Sequence, residues 1–336
     1  MRSDNPSIFH RFEYCLDSGK NRKFPYFFKA VLSMLIPPFL FRVQRKRILA
    51  KIETRPDREE ILQRARYYSK LPTEKPVALP VSALRLGDQR IGKKSHVYFF
   101  DTREYLRYFP VNCRWLHVPG DVTTVPPFPS IVKSRPIAGP NENSVLLNLN
   151  KVRHFIFVKK DIPFEEKRPL ACFRGKIYDK PKRIRLFENY FGNPMLDLGD
   201  TSSKKINEAW HVQPISIREQ LKFQFILAIE GTDVASNLKW VMSSNSIAVM
   251  PQPQYETWFQ EGLLKPNVHY IEIAPDYSDL IDKLKYYQAH PNACQAIIHA
   301  AHAWVRRFQD PEREKLLSLL VLQRYFLSTG QKDALA

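Results

Sequence analysis

Apolar positions in the second half of the chain fall into short runs separated by polar turns. Across 223–270 the sequence reads FQFILAIEGTDVASNLKWVMSSNSIAVMPQPQYETWFQEGLLKPNVHY. An apolar run at 225–229 ends in Glu230-Gly231, and a polar turn leads into a helical pattern at 236–242. A second apolar run covers 247–250, a proline-punctuated loop follows with a helix opening at YETWF, and a third run begins at Val268. This alternation of strand and helix predicts a parallel α/β sheet. Upstream, PLACFRG reads as the first strand of the same region, IRLFENYF at 184–191 as a helix and MLDLGD as the next strand. In the last 60 or so residues, Leu280, Ile281, Leu284 and Tyr287 share one helical face. Two further helical patterns follow, split by Asp310-Pro311, and proline at a first helical position is an ordinary start signal.

The first half is less regular. Residues 1–70 read as a helical, basic, peripheral segment, and LPTEKPVALP at 71–80 as a connector. HVYFFD (96–101), CRWLHVPGD (113–121), SVLLNLN (144–150) and HFIFVKKD (154–161) read as strands. Pro163 and Pro169 flank the polar break EEKR, which marks a boundary. The expected division is 1–70, 71–165, 166–308 and a C-terminal helix at 309–336, with no internal repeat.

Composition narrows the chemistry. Glycine is scarce at 11 and proline abundant at 26, and neither GxGxxG nor GxxxxGK[ST] occurs, so a glycine-rich phosphate loop is not expected. With 52 Lys+Arg against 34 Asp+Glu the net charge is +18. That balance favours nucleic acid, an anionic membrane or an anionic substrate. No nucleic-acid-binding motif is present, so no nucleic-acid partner is expected. The four cysteines, Cys15, Cys113, Cys172 and Cys294, form neither a CxxC pair nor a zinc spacing, which suits a reducing cytoplasm. Asp4, Glu13 and Asp17 interrupt the N-terminus, which does not read as a secretory signal. Residues 26–41 are apolar but contain Lys29 and Pro37-Pro38, short of the ~20 residues a spanning helix needs. The basic run RVQRKRILAK follows. This segment suits either an anionic leaflet or packing on the core.

Several residues carry candidate chemistry. CFRGK places Phe173, Arg174 and Gly175 at a strand end, where an arginine beside a glycine suits a diphosphate. Arg183 is a second phosphate contact or a solvated face. Glu230, Gly231, Ser236, Asn237 and Lys239 sit at a loop-to-helix junction, where helix amides favour an anion; Ser236 equally suits an N-cap. Glu256 opens the helix expected after the proline loop, as a ribose-binding carboxylate or a first-turn glutamate. Asp121 follows a strand and Gly120, as a general base or a turn aspartate. Lys133 and Arg135 in KSRPI suit a phosphate or acidic sugar, with Arg153 and His154 as weaker counterparts. There is no DxD motif. Asp197 and Asp200 are separated by two residues on a strand, so a metal-independent reaction is expected and no cofactor is called for.

FRG, EGTDVASNLKW and WFQEGLLKPNVHY together resemble glycosyltransferase family 90, which includes bacterial lipopolysaccharide core transferases and eukaryotic protein O-glucosyltransferases. The resemblance spans roughly 118–308. It implies a GT-B enzyme of two Rossmann-like domains facing across a cleft, acceptor-side at 71–165 and nucleotide-sugar-binding at 166–308. It also implies an inverting transfer from a UDP-sugar, with UDP-glucose, UDP-galactose and UDP-xylose all open. Asp121 takes the place of the family's aspartate base. Where the O-glucosyltransferases have an arginine contacting the diphosphate, this chain has Asn237, leaving Lys239 or Arg174 to replace it. The N-terminal reading favours the lipopolysaccharide branch. The acceptor expected is an anionic glycolipid or glycan, and the expected location is peripheral, on the inner face of the cytoplasmic membrane. The rival readings are a basic membrane- or RNA-binding protein without catalysis, and a capsule or protein-glycan transferase.

Overall fold

The computed structural model describes residues 19–91, 96–332 and 335; Cys15, Asp4, Glu13 and Asp17 lie outside them. Its strands are β1 (Leu84–Arg85), β2 (Arg114–Trp115), β3 (His117–Val118), β4 (Ser130–Val132), β5 (Ser134–Pro136), β6 (Ser144–Leu146), β7 (Arg168–Gly175), β8 (Leu196–Asp200), β9 (Phe223–Leu227), β10 (Ile247–Met250), β11 (Tyr255–Thr257) and β12 (Ile271–Glu272). The chain divides into two compact units. One holds 153–253 and 263–306 with 19–21; the other holds 22–152, 254–262 and the residues from 307 onward. Instead of one junction near 165, the chain passes between units several times, and 254–262 belongs with the N-terminal residues.

The first unit is built on a five-stranded sheet in the order β12-β10-β9-β7-β8, parallel throughout. The central strands β9 and β10 read as nearly continuous apolar runs because a parallel sheet is covered on both faces. On one face Ala171, Phe173, Leu198, Phe225, Leu227 and Val249 form a core with Leu186 and Phe187 of the helix Pro181–Tyr190. Leu280 and Leu284 of Leu280–Ala289, and Ile297 and Ile298 of Pro291–Arg306, complete it. Truncating a fully buried phenylalanine such as Phe225 would cost about 3–5 kcal/mol.

The second unit has only short strands. β3, β4 and β6 form a parallel sheet, β5 pairs antiparallel with β11, and β1 with β2. The β3-to-β4 crossover, usually a helix in parallel sheets, is here the proline-rich loop 119–129. Helices supply the missing core. Tyr68, ending the helix Arg58–Tyr68, stacks on Trp258 with ring centroids 4.0 Å apart. Beneath them Arg64 donates to Glu314 Oε1 at 2.8 Å and Oε2 at 3.3 Å, and the Trp258 indole N–H also donates to Glu314. Glu314 lies in Pro311–Ser328, whose N-cap Asp310 accepts from the amides of Glu312 and Arg313. Proline does occupy the first turn there, as expected.

Three expectations fail. HVYFFD is the start of the helix His96–Leu106, not a strand: its buried positions Phe99, Thr102, Tyr105 and Leu106 keep helical spacing, which six residues were too few to reveal. HFIFVKKD begins on the last residue of the short helix Lys151–His154 and runs on without a ladder; Val158 N–H donates to Ser243 Oγ at 2.8 Å instead. YETWF opens a strand, not a helix, because its backbone is taken up by β5.

Two stability predictions follow from these packings. Glu314→Ala strands the Arg64 guanidinium in the core and should cost about 3–5 kcal/mol in urea denaturation, whereas Arg64→Met combined with Glu314→Leu should recover most of that loss. Asp101 is buried, accepts from Tyr26 Oη at 2.7 Å and from the Lys151 amide at 3.2 Å, and burial pushes its carboxyl up to about 6 from 3.8. A raised carboxyl keeps its proton in the folded state where the unfolded chain has lost it, so its charge destabilises increasingly from about pH 4 to about pH 6. Asp101→Asn should therefore gain stability relative to the parent over that window, on the order of 3 kcal/mol, then level off. A pH-independent difference between the two proteins would refute this.

Candidate functional site

Numbered by appearance within its unit, the five-stranded sheet has the order 2-1-3-4-5. In that arrangement the chain order reverses between the first and third strands, and ligands bind outside the carboxyl ends at this switch point. Here those strands are β7 and β9. β7 ends in Arg174-Gly175, and β9 runs out into Ala228, Ile229, Glu230 and Gly231.

Arg183 lies across the two strand ends. It projects from Pro181–Tyr190 and donates from Nη1 to Lys176 O at 2.8 Å and from Nη2 to Ile229 O at 2.8 Å, with Nε 3.2 Å from the same carbonyl. Both flanking glycines make room for it. A Cβ on Gly231 would stand 3.1 Å from Nη2, and one on Gly175 3.5 Å from Nη1. The guanidinium makes no ion pair among the described residues. Burial, then the like charge of Arg153, push its pKa down to about 10; Tyr277 and Asp233 act in the opposite sense without cancelling this. A cation held by carbonyls in a partly buried crevice, with its charge unmatched, has the chemistry to receive an anion.

The other sequence candidates of this unit divide. Arg174 is already neutralised: its Nη2 lies 2.6 Å from Asp197 Oδ1, its Nη1 donates to the carbonyls of Phe173 and Asp197, and it packs over Gly199. Phe173 is a core residue beneath the guanidinium of Arg183, 5.5 Å from its ring. Glu230 stands at the switch point, its Oε2 2.5 Å from Lys182 Nζ. Ser236 is not the N-cap; the helix Leu238–Met242 begins after Asn237, whose side-chain amide donates to Leu227 O at 3.1 Å. Lys239 is fully buried, 5.9 Å from the Phe155 ring, and is not available to a diphosphate. Sequence reasoning missed the brace behind the site. Asp200 Oδ1 accepts from the Ile177 and Ser202 amides, and Ser202 Oγ from those of Ile177 and Tyr178, fixing the loop after β7. Only the position of Asp200 at a strand end and of Ser202 just past it hinted at this. His154 is buried as well. Among the described residues no group of three or more His, Cys, Asp or Glu side chains is placed to hold a metal ion.

The remaining candidates lie in the second unit. Glu256 on β11 stands opposite Arg135 on β5, and Arg135 Nε meets Glu256 Oε1 at 2.8 Å with both side chains buried. The Tyr67 hydroxyl takes Oε2, and the carbonyls of Tyr67 and Ser144 accept from the guanidinium at 2.8 and 3.0 Å. Glu256 is therefore no ribose ligand and Arg135 no acceptor contact, because each already satisfies the other away from water. Lys133 is buried too, its ammonium directed to Asp121 Oδ1. Asp121 itself reaches solvent, its side chain 29% exposed. Gly120 before it has φ +102°, open to glycine, and Ser134 Oγ clamps the backbone of Val122 after it at 3.0 and 3.1 Å. The loop thus presents a partly exposed carboxylate held through Oδ1 by Lys133.

O-glucosyltransferase LpsA of Dichelobacter nodosus is 38% identical over 306 residues, covering 90% of this chain and 95% of that protein. Protein O-glucosyltransferase 3 of Homo sapiens is 26% identical over 161 residues, 46% of this chain and 31% of that protein. Uncharacterized protein 035R of Invertebrate iridescent virus 3 is 31% identical over 103 residues, 30% and 9% of the two chains. Residues 146–325 match Glycosyl transferase family 90, a span that takes in β7 to β10 and Arg183 but begins after Asp121. With that match over more than half its length, and a glucosyltransferase relative over nine-tenths of it, the chain belongs to glycosyltransferase family 90.

Proposed function

We propose that this glycosyltransferase moves a sugar, glucose in the first instance, from a UDP-sugar to a hydroxyl of a lipopolysaccharide-core-type glycan, with inversion at the anomeric carbon. The observation that carries the donor reading is the unmatched Arg183 guanidinium at the β7/β9 switch point. The glucosyltransferase relatives support the choice of sugar. Two α/β units, one built on the five-stranded parallel sheet, support the GT-B plan.

In this reaction the acceptor O–H gives its proton to Asp121 Oδ2 while its oxygen forms the bond to the anomeric carbon. The bond from that carbon to the β-phosphate oxygen breaks, and UDP departs with the electron pair. Arg183 meets the charge growing on the diphosphate, which is where a preorganised donor lowers the barrier most. Lys133 holds the other oxygen of Asp121 and orients the base. Arg174 has a supporting part: it fixes Asp197 and the end of β7. In this reading a guanidinium, rather than a divalent ion, answers the diphosphate.

Two measurements test it. Arg183→Ala should weaken UDP binding in calorimetry by about tenfold to a hundredfold, the loss expected for a hydrogen bond to a charged group. Arg183→Lys should fall between, since an ammonium lacks the fork, and Arg174→Ala should lose less than Arg183→Ala. Unchanged UDP affinity in folded Arg183→Ala would dismiss the donor site. Asp121→Asn keeps the shape but takes no proton, so the transfer rate should drop about 10²- to 10⁴-fold with UDP affinity nearly constant. Near-parental turnover in that variant would place the base elsewhere.

A further inference from the structure

The helices Lys23–Leu32 and Pro38–Ala50 point their apolar residues the wrong way for a soluble surface. The first is held on its inner side: Tyr26 Oη donates to Asp101, and Phe27 meets Phe100 edge-on with centroids 5.7 Å apart. The second is held by buried Phe41, whose ring lies 3.8 Å under the Arg107 guanidinium. With both inner faces anchored, the outer faces cannot fold back. Phe24, Phe28 and Val31 recur at i, i+4 and i+7, one helical stripe, and stand 79, 57 and 52% exposed, with Leu35 in the 3-10 turn that follows at 78%. Past Pro37-Pro38, Phe39 and Val43 are also exposed apolar side chains, at 55 and 74%. Exposed large apolar side chains gathered on one stripe in this way mark an interaction surface.

Charge selects the occupant. No acidic residue occurs from Gly19 to Ile52, while basic residues run through the segment, with Arg22, Lys23, Lys29, Lys46 and Arg47 among its exposed positions. A second copy would bring the same positive charge to the same face, and like charges brought together cost several kcal/mol by the general rule for interfaces. Nucleic acid would meet the cations but leave the phenylalanines in water. An anionic bilayer surface answers both features: apolar side chains enter the acyl boundary while lysine and arginine meet headgroup phosphates. No single helix among the described residues is long and apolar enough to cross a membrane, and the two are bent by 101°. The first, at ten residues, is about 15 Å long against a core of about 30 Å.

We infer that the outer faces of these two helices form a membrane-docking surface that lies in the interface of an anionic bilayer. The inference does not depend on donor, acceptor or mechanism. The test is co-sedimentation of the full chain with vesicles of zwitterionic lipid alone and of the same lipid mixed with phosphatidylglycerol. Binding should favour the anionic vesicles and weaken as ionic strength rises from about 0.1 M to about 1 M, where the screening length falls from about 10 Å to about 3 Å. Lys46→Gln and Arg47→Gln should each lose about fivefold in partition. Phe28→Ser with Leu35→Ser should lose about tenfold or more, with circular dichroism and melting temperature unmoved because the positions are exposed. Alkaline carbonate should release the bound protein. Equal binding to both vesicle types, no binding, or full binding by the variants would overturn the inference. So would resistance to carbonate, which would mean the bent pair inserts. A change in oligomeric state in the variants with vesicle binding unmoved would overturn it too, and assign the face to a second copy.

Discussion

A parallel strand must be re-entered from the end where its predecessor began, so every crossover leaves from the carboxyl ends. In this protein that rule shapes the space beyond the ends of β7 and β9. β7 lies between β8 and β9, and the chain leaves β7 toward one neighbour and β9 away from it. The helix after β7 packs Leu186 and Phe187 on one face of the sheet, whereas the helix after β9 contributes nothing to that core. The two exits therefore part, and the space they leave is where Gly175, Gly231 and Arg183 meet. The crevice is a consequence of strand order rather than of any one side chain.

What fills the crevice is decided by how buried charge is answered. Arg64, Arg135, Lys133 and Arg174 each face a carboxylate. Arg183 is held by carbonyl oxygens, which orient a guanidinium without neutralising it. The distinction leaves one cation without a carboxylate in a chain with few glycines and no glycine-rich loop. Two glycines suffice to give its forked side chain room.

The second unit solves a different problem. Its parallel strands are two or three residues long and joined by a proline-rich loop, too little ladder to stand alone. It is tied together by contacts between distant stretches of sequence: Arg135 with Glu256, Arg64 with Glu314, Tyr68 on Trp258. The same tethering makes Asp121 a fixed carboxylate. Its loop has no ladder of its own, yet Ser134 and Lys133 pin it on both sides.

The sequence by itself determined the local structure wherever one period ran long enough. The apolar runs at 225–229 and 247–250, the FRG strand and the three C-terminal helices were legible because parallel strands buried on both faces and amphipathic helices each impose one pattern. Chemistry-bearing residue types were legible too, in that Asp121, Arg174 and Arg183 could be named as candidates. Only the tertiary structure decided which of them are free to act. Arg135 and Glu256 read as binding residues until β5 and β11 came into register and each answered the other. Arg183 read as no more than a second contact or a solvated face until the strand order set it between two chain ends. A side chain's type is local, but whether its charge is matched depends on residues far along the chain. No period records that, because it arises only when the sheet closes.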